Sequence, residues 1–206
     1  MKLYIIRHGE TDWNAGKRLQ GRTDIELNSE GKRLAKITSN ALADVPFTRI
    51  YTSPLKRAYE TALLIKRDRD IPIIKEERII EISFGEYEGL SYSKDNYTVK
   101  DLQFMNFFEN PKEYNPPKDA ESIDELCGRT SDFLEELVHN KNMEDEVILI
   151  STHGAALRGI LSSIYGIGRE EFWNGGVHRN CAVTIVDVQN GITSVLEEGK
   201  IYYDTK

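Results

Sequence analysis

The sequence predicts an α/β protein. The expected architecture is a three-layer α/β/α sandwich with a mainly parallel, mixed sheet and an inserted helical and loop region over one sheet edge. Three observations predict it. Short apolar runs alternate along the chain with longer segments whose apolar residues recur at helical spacing. The last two apolar runs flank Asn190-Gly191, a hairpin signal that makes the sheet mixed. The stretch from about 90 to 120 fits neither pattern: it is aromatic and polar and ends near Pro116-Pro117, so it reads as an insertion. Residues 1–206 are read as one domain carrying that insertion as a cap.

Each element follows in order. Lys2 to Ile6 is a buried first strand; charge follows at Arg7, so the run is neither a signal peptide nor a membrane span. A polar, glycine-containing loop covers about Gly9 to Leu27. Asn28 then caps a helix with Leu34, Ile37, Ala41 and Leu42 on one face. Arg49 to Thr52 is a short strand. Ser53-Pro54 predicts a cap followed by proline at the first helical position, with Leu55, Ala58, Ala62 and Ile65 as that helix's buried stripe. Ile71 to Ile74 is a further strand, and one helix is expected near Asp101 to Glu109. Ser122 to Glu125 forms a capping box for a helix with Leu126, Leu134 and Leu137 on one side. Glu146 to Ser151 is a buried strand, Ala155 to Tyr165 a helix, and Cys181 to Val188 a strand paired with Ile192 to Glu197.

Composition narrows the partners. The chain of 206 residues is 39% hydrophobic and 30% charged. At that size it removes roughly 70% of its unfolded surface from water, enough for a core without staples. The formal net charge of −7 argues against nucleic acid as a general partner, so an anionic ligand must be drawn by a local basic cluster. Two cysteines, Cys127 and Cys181, are too few for a disulfide framework. A cytoplasmic protein with no membrane association is expected. No signal for an oligomeric state is visible.

In open α/β sheets, ligands bind beyond the carboxyl ends of the strands. Arg7 and His8 stand where the first strand ends. His153 and Gly154 stand where the strand at 146–151 ends. Arg57 lies in the helix after the strand at 49–52. Two histidines and two arginines therefore converge on one edge. Guanidinium groups bind phosphate oxygens bidentately and stay charged. A neutral imidazole nitrogen can attack phosphorus. The flanking arginines should keep His8 neutral. Glu81 is the candidate proton donor to a leaving alcohol. Duller alternatives stand beside these readings: a structural histidine, surface ion pairs, a solvated carboxylate, or His153 as a zinc ligand with His8 and a carboxylate.

Arg7-His8-Gly9-Glu10-Thr11, followed by Asn14, resembles the signature of the histidine phosphatase superfamily, in its phosphoglycerate mutase-like branch. Further matching segments follow in order: Gln20-Gly21; Ser53 to Ala58; Glu81 with Phe84-Gly85 and Glu88-Gly89; Glu121-Ser122; His153-Gly154; and Asn180-Cys181-Ala182. The resemblance implies a metal-independent phosphatase of small phosphomonoesters with no cofactor. His8 would carry the phosphoryl group, and Arg7, Arg57 and His153 would hold the phosphate. Glu81 would act as acid and then base, with Asn14, Gln20, Gly21 and Gly154 as secondary contacts. A cofactor-dependent phosphoglycerate mutase is the alternative. The mutases it resembles have a longer chain, a Gly-Trp pair in the first loop and a basic, tyrosine-containing run after the glutamate. Here those places hold Gln20-Gly21-Arg22 and Ile82-Ser83-Phe84, which favours hydrolysis. Asp119-Ala120 replaces a glycine pair common in the family and is expected to put a carboxylate near the cap, shaping substrate access. The cap's aromatic residues, Tyr92, Tyr97, Phe104, Phe107, Phe108 and Tyr114, either wall the site or pack the insertion onto the core.

Overall fold

The computed structural model describes residues 1–205, and of Leu102 the backbone alone. In chain order it contains β1 (Lys2–Arg7), α1 (Asp12–Ala15), α2 (Ser29–Ala41), β2 (Arg49–Thr52), α3 (Lys56–Lys66) and β3 (Ile73–Lys75). Then follow α4 (Asn106–Glu109), α5 (Ile123–Val138), β4 (Val147–Thr152), α6 (Gly154–Tyr165), β5 (Val183–Gln189) and β6 (Ile192–Lys200). The six strands form one sheet in the order β3-β2-β4-β1-β5-β6. β3, β2, β4 and β1 run parallel; β5 and β6 are antiparallel additions. The sheet is mixed from β5 on, since β5 runs antiparallel to β1; Asn190 and Gly191, both at positive φ, then turn β5 back into β6 as expected.

Side chains alternate across a strand, and both faces here are apolar. Leu3, Ile5, Ile148 and Ile150 face Phe133, Leu134 and Leu137 of α5 and Leu157, Ile160 and Leu161 of α6. Ile6, Ile50 and Leu149 face the other way, toward Leu34 and Ala35 of α2 and Ala62 and Ile65 of α3. Two helical layers therefore sandwich the sheet. The capping box at Ser122 and Glu125 forms as read, and Asn28 accepts from the Gly31 amide to start α2.

The insertion has its own aromatic core. Phe104, Phe107 and Tyr114 pack with Phe84, Ile123, Leu126, Ala155, Ala156 and Phe172, which seats the segment on the N-terminal ends of α5 and α6. Its helical part runs from a 3-10 turn at Leu102–Met105 into α4, close to the expected Asp101 to Glu109.

Three expectations need correction. β3 is Ile73–Lys75, shifted from Ile71–Ile74, because it pairs with Ile50 to Thr52 of β2 in that register. Ser53 does not cap α3: the N-cap is Leu55, without a side-chain bond, and Ser53 is drawn elsewhere. Asp119 is exposed, stands away from the cleft described below, and occupies φ +58. Its left-handed backbone accounts for a preference for glycine at that turn, and aspartate is among the few side chains that tolerate it.

Candidate active site

The parallel pairing of β1 with β4 places Arg7 opposite Thr152, so the next residues, His8 and His153, leave the sheet side by side. Their rings lie 5.1 Å apart, centroid to centroid. The chain after His8 passes tightly over α2: a Cβ on Gly9 would lie 2.7 Å from the Gly31 carbonyl oxygen, and one on Gly31 would lie 2.1 Å from that of Glu10. Only two glycines permit that crossing. The Gly9 amide then donates to Thr61 Oγ1 of α3 at 3.0 Å.

His8 is buried, with Nδ1 2.6 Å from the Gly9 carbonyl oxygen. A carbonyl only accepts, so Nδ1 carries the proton and Nε2 keeps its lone pair toward the cleft. Burial, then the nearby Arg57 and Arg7, holds the His8 pKa well below the usual histidine value.

Arg57 is fully buried on α3. Its Nε donates to His153 Nδ1 at 3.2 Å, and its terminal nitrogens donate to the Thr23 and Gly21 carbonyls at 2.8 and 2.7 Å. Each terminal nitrogen keeps one further N–H. Burial lowers its pKa to about 10, which leaves it charged near neutrality. Since Arg57 can only donate, His153 accepts at Nδ1, and its Nε2 proton goes to Ser53 Oγ at 2.7 Å. Burial, Arg57 and His8 hold its pKa well down too. Arg7 donates through Nη1 to the His178 carbonyl, while its buried Nε has no acceptor among the described residues.

Glu81 caps α6. Its Oε1 accepts from the Ile82 and Ala156 amides, both at 3.0 Å, and Oε2 accepts from Ala155 at 3.3 Å. A Cβ on Gly154 would lie 3.7 Å from both Glu81 Oε2 and Arg7 Nε, so the glycine keeps the floor open between them.

These groups border one cleft of about 90 Å³, lined by Arg7, His8, Asn14, Gln20, Gly21, Arg57, Glu81 and Gly154 on the polar side. Arg18, Tyr92, Phe107, Phe108 and Trp173 line the remainder. Thr11 organises the two amides. Its backbone N–H donates to Asn14 Oδ1 at 3.1 Å, and its hydroxyl donates to Gln20 Oε1 at 2.9 Å. The amide N–H groups remain to donate into the cleft. Of the nine residues expected, eight line this space. His153 stands behind them, touching Arg57. Among the described residues, no group of three or more His, Cys, Asp or Glu side chains could hold a metal ion, so the zinc alternative finds no ligand set.

The arrangement is an anion clamp built around a neutral imidazole. The family model for the histidine phosphatase superfamily (branch 1) matches residues 3–199. The chain belongs to that superfamily. This histidine phosphatase is 33% identical to the metal-independent phosphoserine phosphatase of Arabidopsis thaliana over 77% of its own chain and 66% of the relative. It is 29% identical to phosphoserine phosphatase 1 of Hydrogenobacter thermophilus over 96% of its chain and 91% of the relative. Bacillus stearothermophilus YhfR shares its fold with a TM-score of 0.88 and 32% identity, each chain covered to 97%.

Several residues of this histidine phosphatase to which sequence reasoning gave no role support the clamp. Glu88 accepts from the amides of Arg22, Thr23 and Phe84 and from the Thr23 hydroxyl, which fixes the turn whose carbonyls hold Arg57. Arg129 pairs with Glu121 through both oxygens, at 2.7 and 2.8 Å, and donates to the carbonyls of Arg78 and Ile80, anchoring the approach to Glu81. His178, without any motif, supplies Arg7 with its carbonyl. Its ring lies 3.1 Å from Glu198, which also accepts from Arg158 at 2.9 Å. The Glu88-Gly89 and Glu121-Ser122 segments were visible in the resemblance; no local signal marks His178 or Glu198.

Proposed function

We propose that His8 is the nucleophile of a metal-independent phosphatase acting on small phosphomonoesters. Its Nε2 attacks phosphorus as the ester P–O bond breaks, giving a phosphohistidine. Arg7 and Arg57 neutralise the equatorial oxygens in flight, joined by the amides of Asn14 and Gln20. Glu81 gives a proton to the departing alkoxide, then removes one from the water that attacks the phosphohistidine, releasing phosphate and restoring His8. His153 acts through Arg57 and holds its guanidinium in the plane that faces the phosphate. The observation that carries this reading is the His8 tautomer: the Gly9 carbonyl takes the Nδ1 proton and leaves Nε2 free at the cleft. The same carbonyl stabilises the ring when it becomes positively charged on phosphorylation.

The test is phosphate release from a panel of sugar phosphates, O-phospho-L-serine, nucleotides and an aryl phosphate, with and without chelator. Full activity in chelator and loss of turnover by at least about 1000-fold in His8→Ala are expected. Chelator-sensitive turnover, or an active His8→Ala, would sink the mechanism. Isomerisation of 3-phosphoglycerate primed by the bisphosphate would instead assign the mutase reaction.

A further inference from the structure

The cleft has two unlike halves, and the outer half bears on the leaving group. Tyr92, Phe108 and Trp173, all half-buried, stand in a row along it. Tyr92 and Phe108 are 5.6 Å apart with planes 32° apart; Phe108 and Trp173 are 5.8 Å apart at 29°. Phe107 lies beneath them, buried, meeting Phe108 and Trp173 edge-on at 4.8 and 5.3 Å. Trp173 Nε1 donates to the Phe107 carbonyl, so the indole's polar tip is consumed inside the protein and its face remains apolar. The rings are thus braced from behind.

The charge pattern of the cleft points the same way. Among its described lining residues the cations are Arg7, Arg18 and Arg57, and Glu81 is the one carboxylate. An amino-acid phosphate would have to set both its α-ammonium and its α-carboxylate against the apolar faces of Tyr92, Phe108 and Trp173, and desolvating those charges there is costly.

We propose that this phosphatase selects phosphomonoesters whose alcohol carries a single flat apolar ring, in preference to amino-acid phosphates. The inference rests on the phosphatase reading above and names its substrate class. The arginines and His8 take the phosphoryl group, and the ring stacks on the Tyr92–Phe108–Trp173 wall. A cleft this narrow favours a compact alcohol over a drug-sized one.

The experiment compares 2-phenylethyl phosphate, ethyl phosphate and O-phospho-L-serine on the full chain. All three are esters of primary alcohols. The serine hydroxyl is the better leaving group, so an advantage for the phenyl ester cannot come from leaving-group chemistry. Burial of one ring predicts a kcat/KM about 10- to 100-fold higher for 2-phenylethyl phosphate than for either other ester, carried mainly by KM. Phe108→Ala should lower that ratio by about 10-fold, and Trp173→Leu, which keeps an apolar filler in place, should lower it as well. Equal or better kcat/KM on O-phospho-L-serine would overturn the inference and leave the hydrolysis reading intact. Absence of phosphate release from all three and from an aryl phosphate would overturn the hydrolysis reading itself.

Discussion

Arg57 donates to His153 through a 3.2 Å Nε–Nδ1 hydrogen bond, and that bond requires the imidazole to be neutral. His8 is neutral for parallel reasons. In the unfolded chain both rings would take up protons near pH 6.5. In the folded chain both pKa values are depressed, so between about pH 6.5 and the folded values the unfolded state binds more protons. Stability therefore falls as pH drops through that window, by up to about 1.4 kcal/mol per pH unit for each ring. His178, also lowered by burial, adds to the same trend. Urea unfolding at pH 7.5 and 5.5 should show the loss, and His153→Ala should flatten it. A bound phosphate analogue should reduce the acid sensitivity, because an anion favours the protonated rings.

Glu81→Gln separates proton donation from binding. Alkyl phosphates should lose about 100- to 10000-fold in kcat, and an aryl phosphate far less, because a phenolate needs little protonation to depart. Equal losses on both would mean that Glu81 acts only as the α6 cap.

Gly21 and Gly166 form a matched pair. Both have positive φ, +53 and +63. A Cβ on Gly21 would lie 2.0 Å from Glu88 Oε1, whereas one on Gly166 meets open space. Gly166→Ala should cost about 1–2 kcal/mol and leave turnover unchanged. Gly21→Ala should cost more. It also displaces the carboxylate that holds the Arg57 turn, so kcat/KM should fall with it. Thermal unfolding and phosphate release measured on both variants test the contrast.

Glu198 is a positioning residue for Arg7. Its Oε1 accepts from buried Arg158 and meets the His178 ring, and the His178 carbonyl takes Arg7 Nη1. Glu198→Ala should raise KM for phosphate esters and destabilise by about 1–3 kcal/mol, since it strips the Arg158 guanidinium of its partner. Glu198→Gln, which can still accept from both, should recover most of KM. A merely structural role would move stability while leaving KM alone.

Ser53 shows where local reading of the sequence fails. Ser-Pro before an apolar stripe is a helix-start signature, yet the hydroxyl serves the His153 Nε2–H, from the end of a strand 100 residues away. Ser53→Ala should leave that buried donor unsatisfied at a cost of about 1–3 kcal/mol. The strands, the Ser122 cap and the Asn190-Gly191 turn were legible because each is set by a period or by neighbours in the chain. Arg7, His8, Arg57 and Glu81 could be singled out because an anion site beyond the carboxyl edge of the sheet constrains residue type, although only Arg7 and His8 stand at a strand end, Arg57 lying in the first turn of α3 and Glu81 in the loop after β3. His178 and Glu198 were not. One contributes a backbone carbonyl, which any residue could supply, and the other sits on edge strand β6, where its alternation with neighbours reads as ordinary solvated surface. The cap aromatics were ambiguous because both outcomes occur: Phe104 and Tyr114 are core, while Tyr92 and Phe108 wall the cleft.

The central pairing of β1 with β4 has a consequence for synthesis. Arg7 and His8 are made about 140 residues before the strand that holds them in register. At ordinary elongation rates that gap is on the order of 10 s. During it the apolar β1 run has no β4 to pair with, and His8 has neither His153 nor the α6 amides beside it. A nascent chain halted before Val147 should therefore bind no phosphate analogue, however complete its first half. Catalytic competence would arrive late and in one step, when β1 closes with β4 and β5 on either side.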